Sequence, residues 1–305
     1  MKDEEFALGL EQFAYGLLDP LCRTNPSQNI IFSPLSVRTS AGMLRMGATE
    51  GSVTAKELDE GLRFGGGNLQ EIAEHFGTVL KYYQQCQVLK MANGLYVMKG
   101  LELGGQFENI LERQFHSKPM EINFGSEQAA SIINKWLESQ TNHLIKDVIG
   151  PGVLTQDSRL LLINAIHFKG NWSIKFNESD TKEEDFFSEP GKPVKMNMSR
   201  IFGDQAELGS MLKSQAPLSV SKIIHKAFIE VNEEGTEAAA ATAAVISLRS
   251  LPVSERPPKV FHANRPFFYA IFDESHGVLF IGNFNTNSLQ KSKKCNTCTS
   301  KNECK

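Results

Sequence analysis

The residues of this chain best placed to take part in chemistry are Arg249 and Ser250. They follow a run of small residues, Glu233-Glu234-Gly235-Thr236-Glu237-Ala238-Ala239-Ala240-Ala241-Thr242-Ala243-Ala244. Between the two lies Val245-Ile246-Ser247-Leu248, which lacks helical periodicity, and beyond them Glu255-Arg256-Pro257-Pro258 holds the backbone extended and exposed. An arginine presented in that way fits the acidic specificity pocket of a trypsin-type protease. The chemistry on offer is therefore that of a substrate. Gly235 permits any backbone direction, and the alanines and threonines after it can enter a packed layer without overpacking it. The same alanines are the best of helix formers, so the run reads either as a helix or as a loop able to become a strand.

Catalytic motifs are not found. The chain has no Gly-x-Ser-x-Gly elbow and no His-Glu-x-x-His, and its seven histidines are scattered without ligand spacing. Gly65-Gly66-Gly67 lacks the spacing and strand context of a phosphate loop and reads as a connector between helices. His225 is more informative. In strand phase it shares a face with Ser221, Ile223, Ala227, Ile229 and Val231, an otherwise apolar surface on which a histidine needs hydrogen-bond partners.

Elements that could position these residues are legible in the apolar spacing. Residues near 7–20, 34–46, 54–63, 69–85 and 127–144 read as helices, and Phe6, Leu10, Phe13 and Leu17 make one helix face at the start. Ser33 before Pro34 is an N-cap with proline at the first helical position, and Thr54-Ala55-Lys56-Glu57 reads as a capping box. Leu160 to Phe168 is a nearly continuous apolar run of strand length, as is Gly277 to Phe284. Together these describe an α+β protein.

Composition is that of a globular chain: 305 residues, 41% hydrophobic and 22% charged. A net charge of −3 gives no reason to expect nucleic acid as a partner. No apolar run reaches the ~18 residues that a membrane-spanning helix needs. Of the five cysteines, Cys22 and Cys86 read as buried free thiols, whereas Cys295, Cys298 and Cys304 fall in a lysine-rich tail over 291–305. Three cysteines without histidine fall short of a structural zinc set. The tail reads as unstructured, with thiol-based attachment as the alternative. No metal or other cofactor is expected.

The chain resembles the serpin family, serine protease inhibitors that trap their targets by inserting a cleaved loop into a sheet. The resemblance rests on signatures in family order: Asn29-Ile30-Ile31-Phe32-Ser33-Pro34-Leu35-Ser36, Ala92-Asn93-Gly94-Leu95-Tyr96-Val97, Ile133-Asn134-Lys135-Trp136-Leu137, Leu162-Ile163-Asn164-Ala165-Ile166-His167-Phe168-Lys169-Gly170-Asn171-Trp172, Ser221-Lys222-Ile223-Ile224-His225-Lys226-Ala227, and the loop followed by Phe261-His262-Ala263-Asn264-Arg265-Pro266-Phe267. It implies helices packed on a large mixed central sheet with two smaller sheets, as one domain over 1–290. It also implies a reactive-centre loop over 233–258, a hinge at Glu233, Gly235, Thr236, Glu237, Ala238, Ala239, Ala240, Ala241 and Thr242, and a scissile bond at Arg249-Ser250. Counted from Glu233, Arg249 is the seventeenth residue, the length the resemblance implies for an inhibitory member. Cleavage after Leu248 or Arg256 does not give that length. Ser33, Ser36, Asn164 and His225 match the family's latch under the sheet, and Trp172 matches the tryptophan at its top, where insertion begins.

Near 199–205 the sequence departs from the family: a typical member carries roughly 80 more residues there, about half a domain's worth. The resemblance assigns to that block parts of the smaller sheets and the strand edging the central sheet, including a lysine partner for Glu233. Two functions follow as expectations. One is a suicide-substrate inhibitor that traps a trypsin-like protease in a covalent acyl-enzyme, acting as a monomer without heparin. The other is a non-inhibitory decoy or binding module, insertion being disabled by the missing block. The start lacks a secretory signal, which points to an intracellular protein; an extracellular one is the alternative if the true start lies upstream. In that case Asn171, Asn177 and Asn197 each begin an acceptor motif for N-glycosylation.

Overall fold

The computed structural model describes residues 3–65, 67–86, 88–173, 206–214, 216, 218–229 and 263–285. Along them run α1 (Asp3–Thr24), β1 (Ile30–Phe32), α2 (Pro34–Gly47), α3 (Val53–Leu62), α4 (Leu69–Gln85), β2 (Leu89–Met98), α5 (Gly105–Gln114), β3 (Met120–Ile122), α6 (Ala129–Gln140), β4 (Leu160–Phe168), β5 (Lys222–Ile229), β6 (Phe267–Asp273) and β7 (Gly277–Phe284). Two sheets organise the described residues, one of four strands in the order β3-β2-β4-β5 and one of three in the order β1-β7-β6.

The nine-residue, mostly apolar β4 is buried on both faces up to His167, as an internal strand covered by helices on each side must be. Leu160, Leu162 and Ile166 join a core that includes Leu35 and Leu44 of α2 and Phe76 of α4. Leu161, Ile163 and Ala165 face Ile133 and Leu137 of α6. The central sheet is thus sandwiched between α6 and the other helices. A third cluster packs Ala14 and Leu18 of α1 on Phe32, Val278 and Ile281 of the smaller sheet.

Helix α2 runs through the middle and is buried along nearly its whole length. Ser33 caps it, its side chain accepting the Ser36 N–H at 3.3 Å, and Pro34 follows at the first turn. Arg38 on this helix is fully buried and donates to Leu62 O, Arg63 O and Phe6 O at 2.8, 2.8 and 2.9 Å. It therefore ties α1 to the C-terminal carbonyls of α3, and desolvation lowers its pKa to about 9.

Three expectations need correction. Helix α3 is capped by Ser52, whose side chain accepts the Ala55 N–H at 3.0 Å. Thr54 is no cap: it is buried inside the helix and donates to Glu207 Oε2 at 3.3 Å. Helix α1 continues past Pro20 to Thr24. Helix α6 stops at Gln140, where Thr141 Oγ1 turns back to Leu137 O and Asn142 and His143 take left-handed backbone conformations.

Among the described residues β5 ends one sheet and β6 the other. On β6 the rings of Phe268 and Phe272 are 49% and 54% exposed.

Candidate functional site

The register of the central sheet places Asn93 of β2, Asn164 of β4 and His225 of β5 in one row across three strands. Three polar residues there meet the N-terminus of α2, whose first turn is closed by the cap at Ser33. Ser33, Ser36 and Asn164 are all buried, so each polar group requires a partner.

The partners are found within the cluster. The Ser33 backbone N–H donates to His225 Nε2 at 3.2 Å. Since that nitrogen must then be an acceptor, the proton of the neutral imidazole lies on Nδ1, which donates to Asn164 Oδ1 at 3.0 Å. The same Asn164 oxygen accepts the Ser36 hydroxyl, and the Asn164 amide nitrogen donates to Asn93 Oδ1. A continuous chain of hydrogen bonds thus links α2, β5, β4 and β2. Burial lowers the His225 pKa to about 4, and the inward-facing ring stays neutral.

Chemically this arrangement holds elements together and activates nothing. The Ser36 hydroxyl is bonded to an amide oxygen, and among the described residues no base is placed to take its proton. The bonds do span the β4–β5 junction, where eight residue pairs run in parallel from Leu161 and Lys222 to Phe168 and Ile229. Trp172 lies just past the end of β4, 44% exposed, at the end of the sheet where the chain leaves β5 toward Glu233.

All four residues assigned to the latch from the sequence are therefore brought together, and Trp172 stands apart from them. The hinge residues Glu233 to Thr242 and the bond Arg249-Ser250 lie outside the described residues. Asn93 belongs to the cluster and was missed. Its signal was an asparagine in a strand interior, where that residue is depleted unless its side chain has a partner.

A family model described as "Serpin (serine protease inhibitor)" matches residues 9–198 and 194–287. The chain belongs to the serpin family. It is 29% identical to the antitrypsin of Bombyx mori over 86% of its own length and 90% of that protein, and 27% identical to serpin B6 of Macaca fascicularis over 90% and 97%. Among solved structures it superposes on a cleaved serpin 42Da with a TM-score of 0.74 at 28% identity, covering 92% of this chain and 98% of that one. Serpin48 of Tenebrio molitor gives a TM-score of 0.76 at 23% identity, covering 94% and 99%.

Alignment with the Bombyx antitrypsin needs 357 positions, although this serpin has 305 residues. The two matched stretches of the family model overlap at 194–198. An internal block that other serpins carry is absent, and the central sheet is correspondingly open beyond β5 among the described residues.

Proposed function

We propose that this serpin is a suicide-substrate inhibitor of a trypsin-like serine protease, cleaved between Arg249 and Ser250. The observation that carries the reading is the direct pairing of β4 with β5, bridged by Asn164 and His225. These are the two strands that must part for the loop to enter, and β5 leads straight into the small-residue hinge. The protease serine oxygen attacks the Arg249 carbonyl carbon, and the bond to Ser250 breaks as the new amine takes a proton from the protease histidine. Arg249 is then esterified to the protease. Gly235 to Leu248 insert between β4 and β5, carrying the protease away before water can cleave the ester. The partner is one protease molecule, bound covalently by a monomer.

Mixing the protein with trypsin and separating the products under denaturing conditions tests this reading. A covalent complex that survives denaturation is expected, and Thr236→Arg, which puts a long charged side chain on the inserting strand, should give cleavage after Arg249 without complex. Complete cleavage of the unsubstituted protein with no complex overturns the inhibitor reading. That outcome would favour a cleavable decoy, a reading supported by the end of the sheet at β5 among the described residues.

A further inference from the structure

The smaller sheet ends on an edge that lacks the usual protections. β6 pairs with β7 on one side and has no strand on the other among the described residues. Edges left open in this way are normally guarded by lysine, proline or a bulge. From Phe267 to Asp273 there is neither lysine nor proline. A bulge is present, since Ile271 faces Phe280 and Phe272 faces Val278, but its extra residue is Leu279 of β7. β6 therefore keeps an unbroken alternation along its free edge. β5, which ends the central sheet among the described residues, differs: Lys222 and Lys226 are both exposed, and an antiparallel copy centred on Ile224 would set lysine against lysine.

β6 is also complementary to itself. Phe268, Ala270 and Phe272 share one face of the strand, the one on which Ala270 packs against the cluster around Ala14 and Leu18 of α1. In an antiparallel pair centred on Ala270, each Phe268 lies directly opposite Phe272 of the second copy, and the two small alanines meet at the two-fold axis. Two exposed rings on each copy become two covered ring pairs. Half-exposed Tyr15 of α1, its ring 6.5 Å from that of Phe268, borders each pair. Charge sets the direction, because Arg265 precedes the strand while Asp273 and Glu274 close it. Antiparallel pairing brings each arginine beside the two acids of the other copy, whereas parallel pairing would bring arginine to arginine.

We propose that this serpin forms a reversible dimer through its β6 strands, the two three-stranded sheets joining into one of six. Both copies use the same edge, so the contact is isologous and growth stops at two. The seven residues of β6 span about 23 Å. Two such edges with their flanking rings cover roughly 900 Å² in all, below the ~1,200 Å² of lasting complexes. The pair accordingly forms at high protein concentration and separates on dilution into the monomers that each meet one protease. None of the latch residues lies on β6, so the dimer does not depend on the inhibitor reading.

Sedimentation of the full chain between about 1 μM and about 100 μM tests the proposal. The mean mass should rise from that of one chain toward twice that value and no further. The double variant Phe268→Lys, Phe272→Lys sets lysine opposite lysine in the pair, and Phe268→Glu, Phe272→Glu does the same with glutamates, so each alone should stay monomeric. Mixed in equal amounts they should dimerise again, because lysine then faces glutamate. Arg265→Glu, an exposed change outside the strand, should weaken the dimer about tenfold and tests the same register if a double variant fails to fold. An unsubstituted chain that stays monomeric throughout the range, species larger than a dimer, or a dimer that none of the three variants weakens overturns the proposal. Failure of the folded lysine and glutamate variants to pair when mixed overturns it too.

Discussion

His225 Nδ1 stands 3.0 Å from Asn164 Oδ1, and the two residues are also register partners across β4 and β5. One side-chain bond thus reinforces the backbone pairing of the two strands that loop insertion would have to separate. The bond exists in this form only while the imidazole is neutral, because protonating Nε2 would set an N–H against the Ser33 N–H.

A pH dependence follows. The folded-state pKa of His225 is about 4, against an ordinary value of 6.5. Between those values the unfolded chain holds the extra proton and the folded protein does not, so stability falls as pH drops. The contribution is fully present above pH ~6.5 and is lost by pH ~4, about 3 kcal/mol in all at ~1.4 kcal/mol per pKa unit. Urea unfolding between pH 7 and pH 4 should show that loss, and His225→Gln should remove most of it. Equal pH slopes for the two proteins would count against a neutral His225 ring in the folded protein.

Asn93→Ala removes the acceptor of the Asn164 amide and leaves a buried donor unpaired. Such a group costs about 1–3 kcal/mol. The urea midpoint should fall accordingly, and the further loss on adding His225→Gln should be smaller than in the unsubstituted protein, since both act on Asn164. Strict additivity would show that the row is not one network.

Much of this architecture is legible in the residues themselves. The nearly continuous apolar run of β4 identifies a strand buried on both faces, and Ser33-Pro34 gives the start of α2 to the residue. Elsewhere the apolar spacing misleads. It continues beyond α6 because Ile145 and Ile149 pack into the same core after the helix has ended. Helix α5 escapes notice because it begins at glycine with no side-chain cap and buries only Phe107 and Leu111. Thr54 looks like a cap by its spacing to Glu57, yet Ser52 holds the extended conformation a cap requires and Thr54 faces Glu207, distant in sequence. In the same way His225 announces itself as a lone polar residue on an apolar face. Asn93 becomes part of the site only when register places it beside Asn164, a relation between strands that neither segment contains.

Gly94→Ala should destabilise the contact between α6 and the sheet. The added Cβ would lie 2.9 Å from the Trp136 ring and 3.0 Å from an Ile163 methyl, an overpacking that costs about 1–3 kcal/mol. Trp136→Leu clears part of that space. The double variant should therefore lose less stability than the sum of the two single ones, measured by thermal unfolding; a sum that is simply additive would mean that the indole does not rest on Gly94.

The exposed aromatics of β6 should matter more for association than for folding. Phe268 and Phe272 lie on the last strand of their sheet among the described residues, where unpaired backbone groups and apolar rings together invite edge-to-edge pairing. Each ring is about half exposed, so replacing it forfeits little burial, and surface changes of this kind usually alter stability by no more than about 0.5 kcal/mol apiece. The double variant Phe268→Ser, Phe272→Lys adds a charge to the strand edge, a device that blocks pairing between edges. Light scattering on warming should show aggregation delayed or abolished while the unfolding midpoint moves little. Aggregation that proceeds unchanged would place the sticky surface elsewhere. A large fall in the midpoint would mean instead that both rings are covered in the folded protein.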